Sequence, residues 1–277
     1  MGIDPNPFAG DGDAPIGIFD SGVGGLTVLR AIQRRLPNES LIYLGDTARI
    51  PYGTRSIATV VRYAVEDAAF VQSQNTKLIV VACNTASAIA ADEVERRCSV
   101  PVLSVIKPGA RNAVRATRNR RVGVIATEAT IASGAYEKAI LAADSEIEVV
   151  SRACPLLVPL AEEGWIDHAV TRAVALEYLS DLGSGRIDTL VLGCTHYPIL
   201  RGVITGVVGD SVHYVDSGEA VAEEVALVLK SRNLERRARS EPTEKFYVTD
   251  AASRFARIAE LFLGRPVGSV ELVGLGA

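Results

Sequence analysis

Leu78-Ile79-Val80-Val81-Ala82-Cys83-Asn84-Thr85 and, further along, Thr189-Leu190-Val191-Leu192-Gly193-Cys194-Thr195-His196 are two renderings of one pattern. In each, a short run of branched apolar residues ends on a cysteine and turns polar. Continuous Val/Ile/Leu runs mark strands buried on both faces, as in parallel sheets covered by helices. The pattern extends outward. Gly17-Ile18-Phe19-Asp20 opens one half and Gly123-Val124-Ile125-Ala126 opens the other, at similar offsets from the two cysteines. Further strands are expected at Leu41–Leu44, Val100–Val105, Ile147–Val150, Val212–Val215 and Phe246–Val248. Amphipathic stretches such as Leu26–Leu36, Thr85–Arg97, Ile131–Ala142 and Glu219–Lys230 lie between them.

This predicts an α/β fold of two pseudo-symmetric domains with mostly parallel sheets. Residues 15–107 supply only four strands, so 216–277 is expected to return and complete the first domain; 108–215 forms the second. Residues 1–14, rich in Gly, Pro and Asp, read as a flexible tail or a cloning remnant. Ligands in open α/β sheets sit beyond the carboxyl ends of the strands. Two such sheets facing each other would set Cys83 and Cys194 across one cleft.

Composition narrows the function. The 277 residues are 48% hydrophobic and carry a net charge of −4. A nucleic-acid-binding surface usually shows a basic excess, which is missing. No apolar run approaches the roughly 20 residues of a membrane span, and the N-terminus lacks the basic-then-apolar order of a signal peptide. A cytoplasmic location with free thiols follows. The four cysteines, Cys83, Cys98, Cys154 and Cys194, form no CxxC pair and suggest no metal site.

Cys83 stands where a strand gives way to a helix that Asn84 or Thr85 could cap. Free N–H groups there would lower the thiol's pKa; the plainer reading is a small buried turn residue. Cys194 has His196 two residues on, able to exchange a proton with it; the plainer reading is a core histidine. His168 and His213 lack such neighbours and are expected to be structural or exposed, as Cys98 and Cys154 are expected to be structural. Asp20-Ser21-Gly22-Val23-Gly24-Gly25 offers N–H donors and a hydroxyl at a helix start, a cradle for a carboxylate or phosphate. It is not the GxGxxG of a dinucleotide site. Pro51-Tyr52-Gly53 is either a ligand-facing turn or a surface one. Glu162-Glu163-Gly164-Trp165 is either catalytic or a solvated helix end.

Together these segments resemble the glutamate racemase family, within the aspartate/glutamate racemase superfamily. The resemblance rests on Ile18–Thr27, Gly45-Asp46 with Pro51-Tyr52-Gly53, Ala82-Cys83-Asn84-Thr85-Ala86-Ser87, and Gly193-Cys194-Thr195-His196-Tyr197-Pro198, in that order. It implies interconversion of L- and D-glutamate for peptidoglycan synthesis, a homodimer, and Cys83 and Cys194 as the acid/base pair. Asp20, His196 and Glu163 are implied as polar helpers. Asp20, Ser21, Tyr52, Gly53, Asn84, Thr85, Thr130, Thr195 and His196 are implied, with the cysteines, as substrate contacts. Some members bind DNA gyrase, and the resemblance is the sole ground for that partner here.

Moving an α-proton from one face to the other needs one thiolate and one thiol on opposite faces. No lysine in these segments suggests a pyridoxal phosphate Schiff base, and no ligand cluster suggests a metal, so no cofactor is expected. Racemisation of aspartate or a related acid, and decarboxylation or isomerisation on the same scaffold, are rivals. A two-lobed binding module for an acidic metabolite is a rival from another class, which leaves the paired cysteines unexplained.

Overall fold

The computed structural model describes residues 11–183 and 185–276. In chain order it runs β1 (Ile16–Asp20), α1 (Leu26–Arg35), β2 (Leu41–Gly45), α2 (Ile57–Ser73), β3 (Leu78–Val81), α3 (Asn84–Arg97), β4 (Val102–Ser104) and α4 (Ile106–Ala116). It continues through β5 (Arg121–Ala126), α5 (Glu128–Ala132), α6 (Ala135–Ala143), β6 (Glu148–Ala153), α7 (Leu157–Glu162), α8 (Ala169–Leu179), β7 (Thr189–Gly193), α9 (Arg201–Val208) and β8 (His213–Asp216). It closes with α10 (Ser217–Arg232), β9 (Glu244–Val248), α11 (Ala252–Leu263) and β10 (Val270–Leu272). Short 3₁₀ turns stand at Tyr52–Thr54 and Tyr197–Leu200.

The strands form two sheets, both parallel throughout. One has the order β10-β9-β2-β1-β3-β4, the other β6-β5-β7-β8. The order β2-β1-β3-β4 is repeated as β6-β5-β7-β8, which is the duplication expected from the sequence. Its register repeats as well. Gly17 pairs with Ile79, four residues before Cys83, and Gly123 pairs with Leu190, four residues before Cys194. The chain after Asp216 returns as β9 and β10 to extend the first sheet beyond β2.

Burial explains why the apolar runs became central strands. All four residues of β3 are inaccessible, as are Leu190 and Val191 of β7. At about 1.5–3 kcal/mol for each large aliphatic side chain, these strands are strong sources of stability.

Two expected boundaries fall within packed structure. The boundary drawn at Lys107 falls inside α4, which packs on α6, α10 and β7. Lys107-Pro108-Gly109 resembles a linker, but Pro108 occupies the first helical turn, where its missing N–H has no intrahelical partner to lose. The tail expected over 1–14 lies outside the described residues up to position 10. Beyond that, Asp13 accepts the N–H groups of Arg237 and Ala238 at 2.9 and 2.8 Å, and Ala14 is buried. Among the described residues no helix is long and apolar enough to cross a membrane.

Candidate active site

The loops that follow β1, β2, β3, β5, β6 and β7 converge on a cavity of about 170 Å³. Both sheets therefore contribute strand carboxyl ends to it, where parallel sheets place their ligands. Cys83 and Cys194 both line this cavity, with Ser21, Tyr52, Gly53, Asn84, Thr85, Thr195 and His196. These include most of the residues singled out in the sequence.

Cys83 is the N-cap of α3, its sulfur accepting the Ala86 N–H at 3.5 Å and lying 3.6 Å from Ser21 Oγ. The expected fall in its pKa does not occur. Burial pushes the thiol up to about 12, the Asp20 carboxylate adds to the rise, and the contacts with Ala86 and Ser21 offset only part of it. The helix end is present, but desolvation and a neighbouring anion outweigh it.

Asp20 ends β1 and is buried beside the cavity rather than lining it. Its Oδ2 accepts the Gly22 N–H at 2.9 Å, while Oδ1 is a buried side-chain oxygen without a hydrogen-bond partner among the described residues. Burial raises its pKa, with the charge of His196 and the Gly25 and Gly22 N–H groups opposing.

Cys194 is followed by a 3₁₀ turn rather than directly by a helix, so the two cysteines are not equivalent. Its sulfur lies 3.7 Å from His196 Nδ1. His196 Nε2 lies 3.1 Å from Glu162 Oε1, and Arg254 of α11 reaches Glu162 Oε2 at 3.6 Å. Burial alone would depress the His196 imidazolium. Its bonds to Cys194 and Glu162 outweigh that and raise the pKa to about 10. For Glu162, burial acts upward, but the bond and charge of His196, with Arg254, hold it below the usual carboxylate range.

The acidic partner is therefore Glu162, not Glu163. Glu162 closes the last turn of α7 facing inward, and Glu163 is its exposed C-cap. Thr130 also stands back from the cavity. Its hydroxyl is 3.2 Å from that of Thr85 and 2.9 Å from that of Thr127, and those two line the wall. His168 and His213 are exposed, and His168 caps α8. Cys154 is buried in the core with its carbonyl accepting the Tyr197 hydroxyl at 2.8 Å.

Thr127, Glu128, Pro155, Val158 and Pro159 also line the cavity and were not singled out. The duplication held a signal for the first of them, because the offset that takes Gly17 to Gly123 takes Ser21 to Thr127.

The two halves are tied together at the site. Thr27 donates to the Thr195 carbonyl at 3.0 Å, and Tyr136 donates to Asn84 Oδ1 at 2.7 Å. Gly24 marks a close approach: a Cβ there would lie 2.3 Å from Thr195 Oγ1 and 2.5 Å from His196 Nδ1, far inside contact distance.

Comparison with known proteins agrees with this geometry. Residues 16–225 match the family model of the Asp/Glu/hydantoin racemases. A glutamate racemase of Geobacter metallireducens is 53% identical over 262 residues, covering 95% of this chain and 97% of the relative. The glutamate racemase of Francisella tularensis, solved in complex with D-glutamate, superposes with a TM-score of 0.89 at 40% identity, over 95% of this chain and 98% of that one. That of Thermus thermophilus, in complex with β-chloro-D-alanine, gives 0.86 at 45% identity, over 95% and 98%. With a duplicated parallel fold, two cysteines in one cavity and a family match across most of its length, the chain is a racemase of the Asp/Glu/hydantoin racemase family.

Proposed function

We propose that this racemase interconverts L- and D-glutamate by passing the α-proton between Cys83 and Cys194 without a cofactor, supplying D-glutamate for peptidoglycan synthesis. The observation that carries the reading is that both thiols line one small cavity at the ends of equivalent strands. The substrate assignment is supported by the names of the relatives and by the D-glutamate complex of the Francisella enzyme. Division of the chain into 15–107 with 216–277, and 108–215, makes the cavity an interdomain cleft. The same reading makes the enzyme a cytoplasmic homodimer.

In the L-to-D direction, Cys194 as thiolate takes the α-proton and Cys83 as thiol returns one to the opposite face. The enzyme is left with Cys194 protonated and Cys83 ionised, the state that runs the reverse reaction. The buried Cys83 thiol, with its raised pKa, suits the proton-donor role. His196 is the proton partner of Cys194, with Glu162 orienting the imidazole. Asp20, with an oxygen to spare, is the polar helper at Cys83. The weak acidity of the α-proton is the main barrier. Ser21, Asn84, Thr85 and Thr195 line the cavity, and hydroxyl and amide donors from them would stabilise charge developing on the substrate carboxylate. Tyr52 and Gly53 form a further part of the wall, and Thr130 backs Thr85.

Purified protein incubated with L-glutamate in deuterated water should exchange the α-proton and form D-glutamate, with no added cofactor and after dialysis against chelator. A protein that binds glutamate but leaves its α-proton in place would refute the reading.

A further inference from the structure

Behind the Tyr52 wall lies a buried cluster that the chemistry above does not use. Asp46 follows β2, Arg49 and Tyr52 follow it, and Glu66 and Asp67 come from α2. Asp46 and Asp67 are both inaccessible. Arg49 donates from Nε to Asp46 Oδ2 at 2.7 Å and from Nη2 to Asp67 Oδ1 at 2.8 Å, and its Nη1 pairs with Glu66. Three carboxyl groups thus share one guanidinium. Tyr63 of α2 packs near the Tyr52 ring, with centroids 5.7 Å apart, and lies under Arg49; Arg62 stands over its ring as well. From the loop after β9, Thr249 donates to Asp46 Oδ1 at 2.9 Å while accepting the Ala48 N–H.

The Tyr52 hydroxyl sits between two carboxyl oxygens. It contacts Asp46 Oδ2, and Asp67 Oδ2 lies 2.8 Å away. A phenol has one hydrogen and cannot donate to both. One of the contacts needs a second proton, carried by a carboxyl group. Asp46 receives donors from Arg49, Thr249 and Tyr52, whereas Asp67 Oδ2 has Tyr52 alone.

We propose that Asp67 is a neutral carboxylic acid whose Oδ2 proton is donated to the Tyr52 hydroxyl, making Asp67 the positioning residue for the Tyr52–Gly53 wall of the cavity. Tyr52 in turn donates to Asp46, so two protons and three oxygens form one directed chain. Burial, and then the charge of Asp46, raise the Asp67 pKa well above the ordinary carboxyl value, with Arg49 opposing. Ionising Asp67 would set two anions against one phenol hydrogen and loosen the wall. This rests on the reading that Tyr52 and Gly53 contact glutamate.

The test uses the full chain with aspartate labelled at the carboxyl carbon. The Asp67 signal, assigned by its loss in Asp67→Asn, should be that of a carboxylic acid near neutral pH. Asp67→Asn, whose amide can donate to Tyr52 at every pH, should keep the neutral-pH KM for glutamate. The parent should show a rise in KM at alkaline pH as Asp67 ionises, and Asp67→Asn should lose part of that rise. Asp67→Ala should raise KM about tenfold, the scale of one lost buried hydrogen bond, with kcat changed far less. A carboxylate signal at neutral pH would overturn the proposal, and so would an Asp67→Asn variant impaired as much as Asp67→Ala. If the parent protein fails to act on glutamate, the functional reading falls, and the carbon signal alone still decides on Asp67.

Discussion

His196 presents Nε2 to Glu162 at 3.1 Å, so the imidazole beside Cys194 is oriented by a carboxylate from the last turn of α7. Glu162 and Glu163 then differ sharply in consequence. Glu162→Gln keeps the shape but removes the charge that supports the imidazolium. It should lower kcat by about a hundredfold, the lower end of general acid–base contributions. Glu163→Gln should match the parent. Steady-state racemisation of both variants checks this, and equal losses would contradict the assignment.

The same pair gives a pH signature in stability. The folded-state pKa of His196 is about 10 against an ordinary 6.5, so the folded protein holds the proton more tightly. This stabilisation is fully present below pH 6.5 and is lost as pH rises through about 10. Urea midpoints measured across that window should fall with pH in the parent and fall less steeply in His196→Asn. Parallel curves would show that the imidazole does not carry the effect.

Gly24 has its own prediction, because its missing side chain is what lets α1 approach Thr195 and His196. Gly24→Ala should displace these groups and reduce kcat about a hundredfold, as small misplacements in active sites do. The far-ultraviolet circular dichroism should stay that of the parent. Unchanged activity in a folded Gly24→Ala protein would mean that the contact is soft.

Much of this was legible in the sequence where a single local pattern carried the information. The strand-plus-cysteine units around Cys83 and Cys194 announced themselves because buried parallel strands leave unbroken apolar runs. The rough agreement of their offsets from Gly17 and Gly123 pointed to the duplication, while the strand register itself came only with the structure. What failed depended on phase or on distant neighbours. Choosing Glu162 over Glu163 needs the rotation of a six-residue helix, α7, too short for a period to show. The upward shift of Cys83 comes from burial and from Asp20 on another strand, which no local reading of a helix start reveals. α4 hid behind Pro108-Gly109, which mimic a linker. Asp67 drew no notice because its meaning lies in Asp46, Arg49 and Tyr52, brought to it only by the fold.

The central claim is that two thiols serve opposite faces of one carbon, Cys83 the D-glutamate face and Cys194 the L-glutamate face. The most direct measurement incubates Cys83→Ser and Cys194→Ser with each enantiomer of glutamate in deuterated water and follows the α-proton signal. A serine hydroxyl is too weak an acid to ionise near neutral pH, so both variants should lose racemisation. Proton abstraction alone needs only the base. Cys83→Ser should therefore still exchange the α-proton of L-glutamate, and Cys194→Ser that of D-glutamate. The double variant should racemise scarcely worse than either single one, because groups that act as a unit are not additive. Opposite enantiomer preferences are the predicted result; a shared preference, or racemisation near the parent rate in either single variant, would contradict the account.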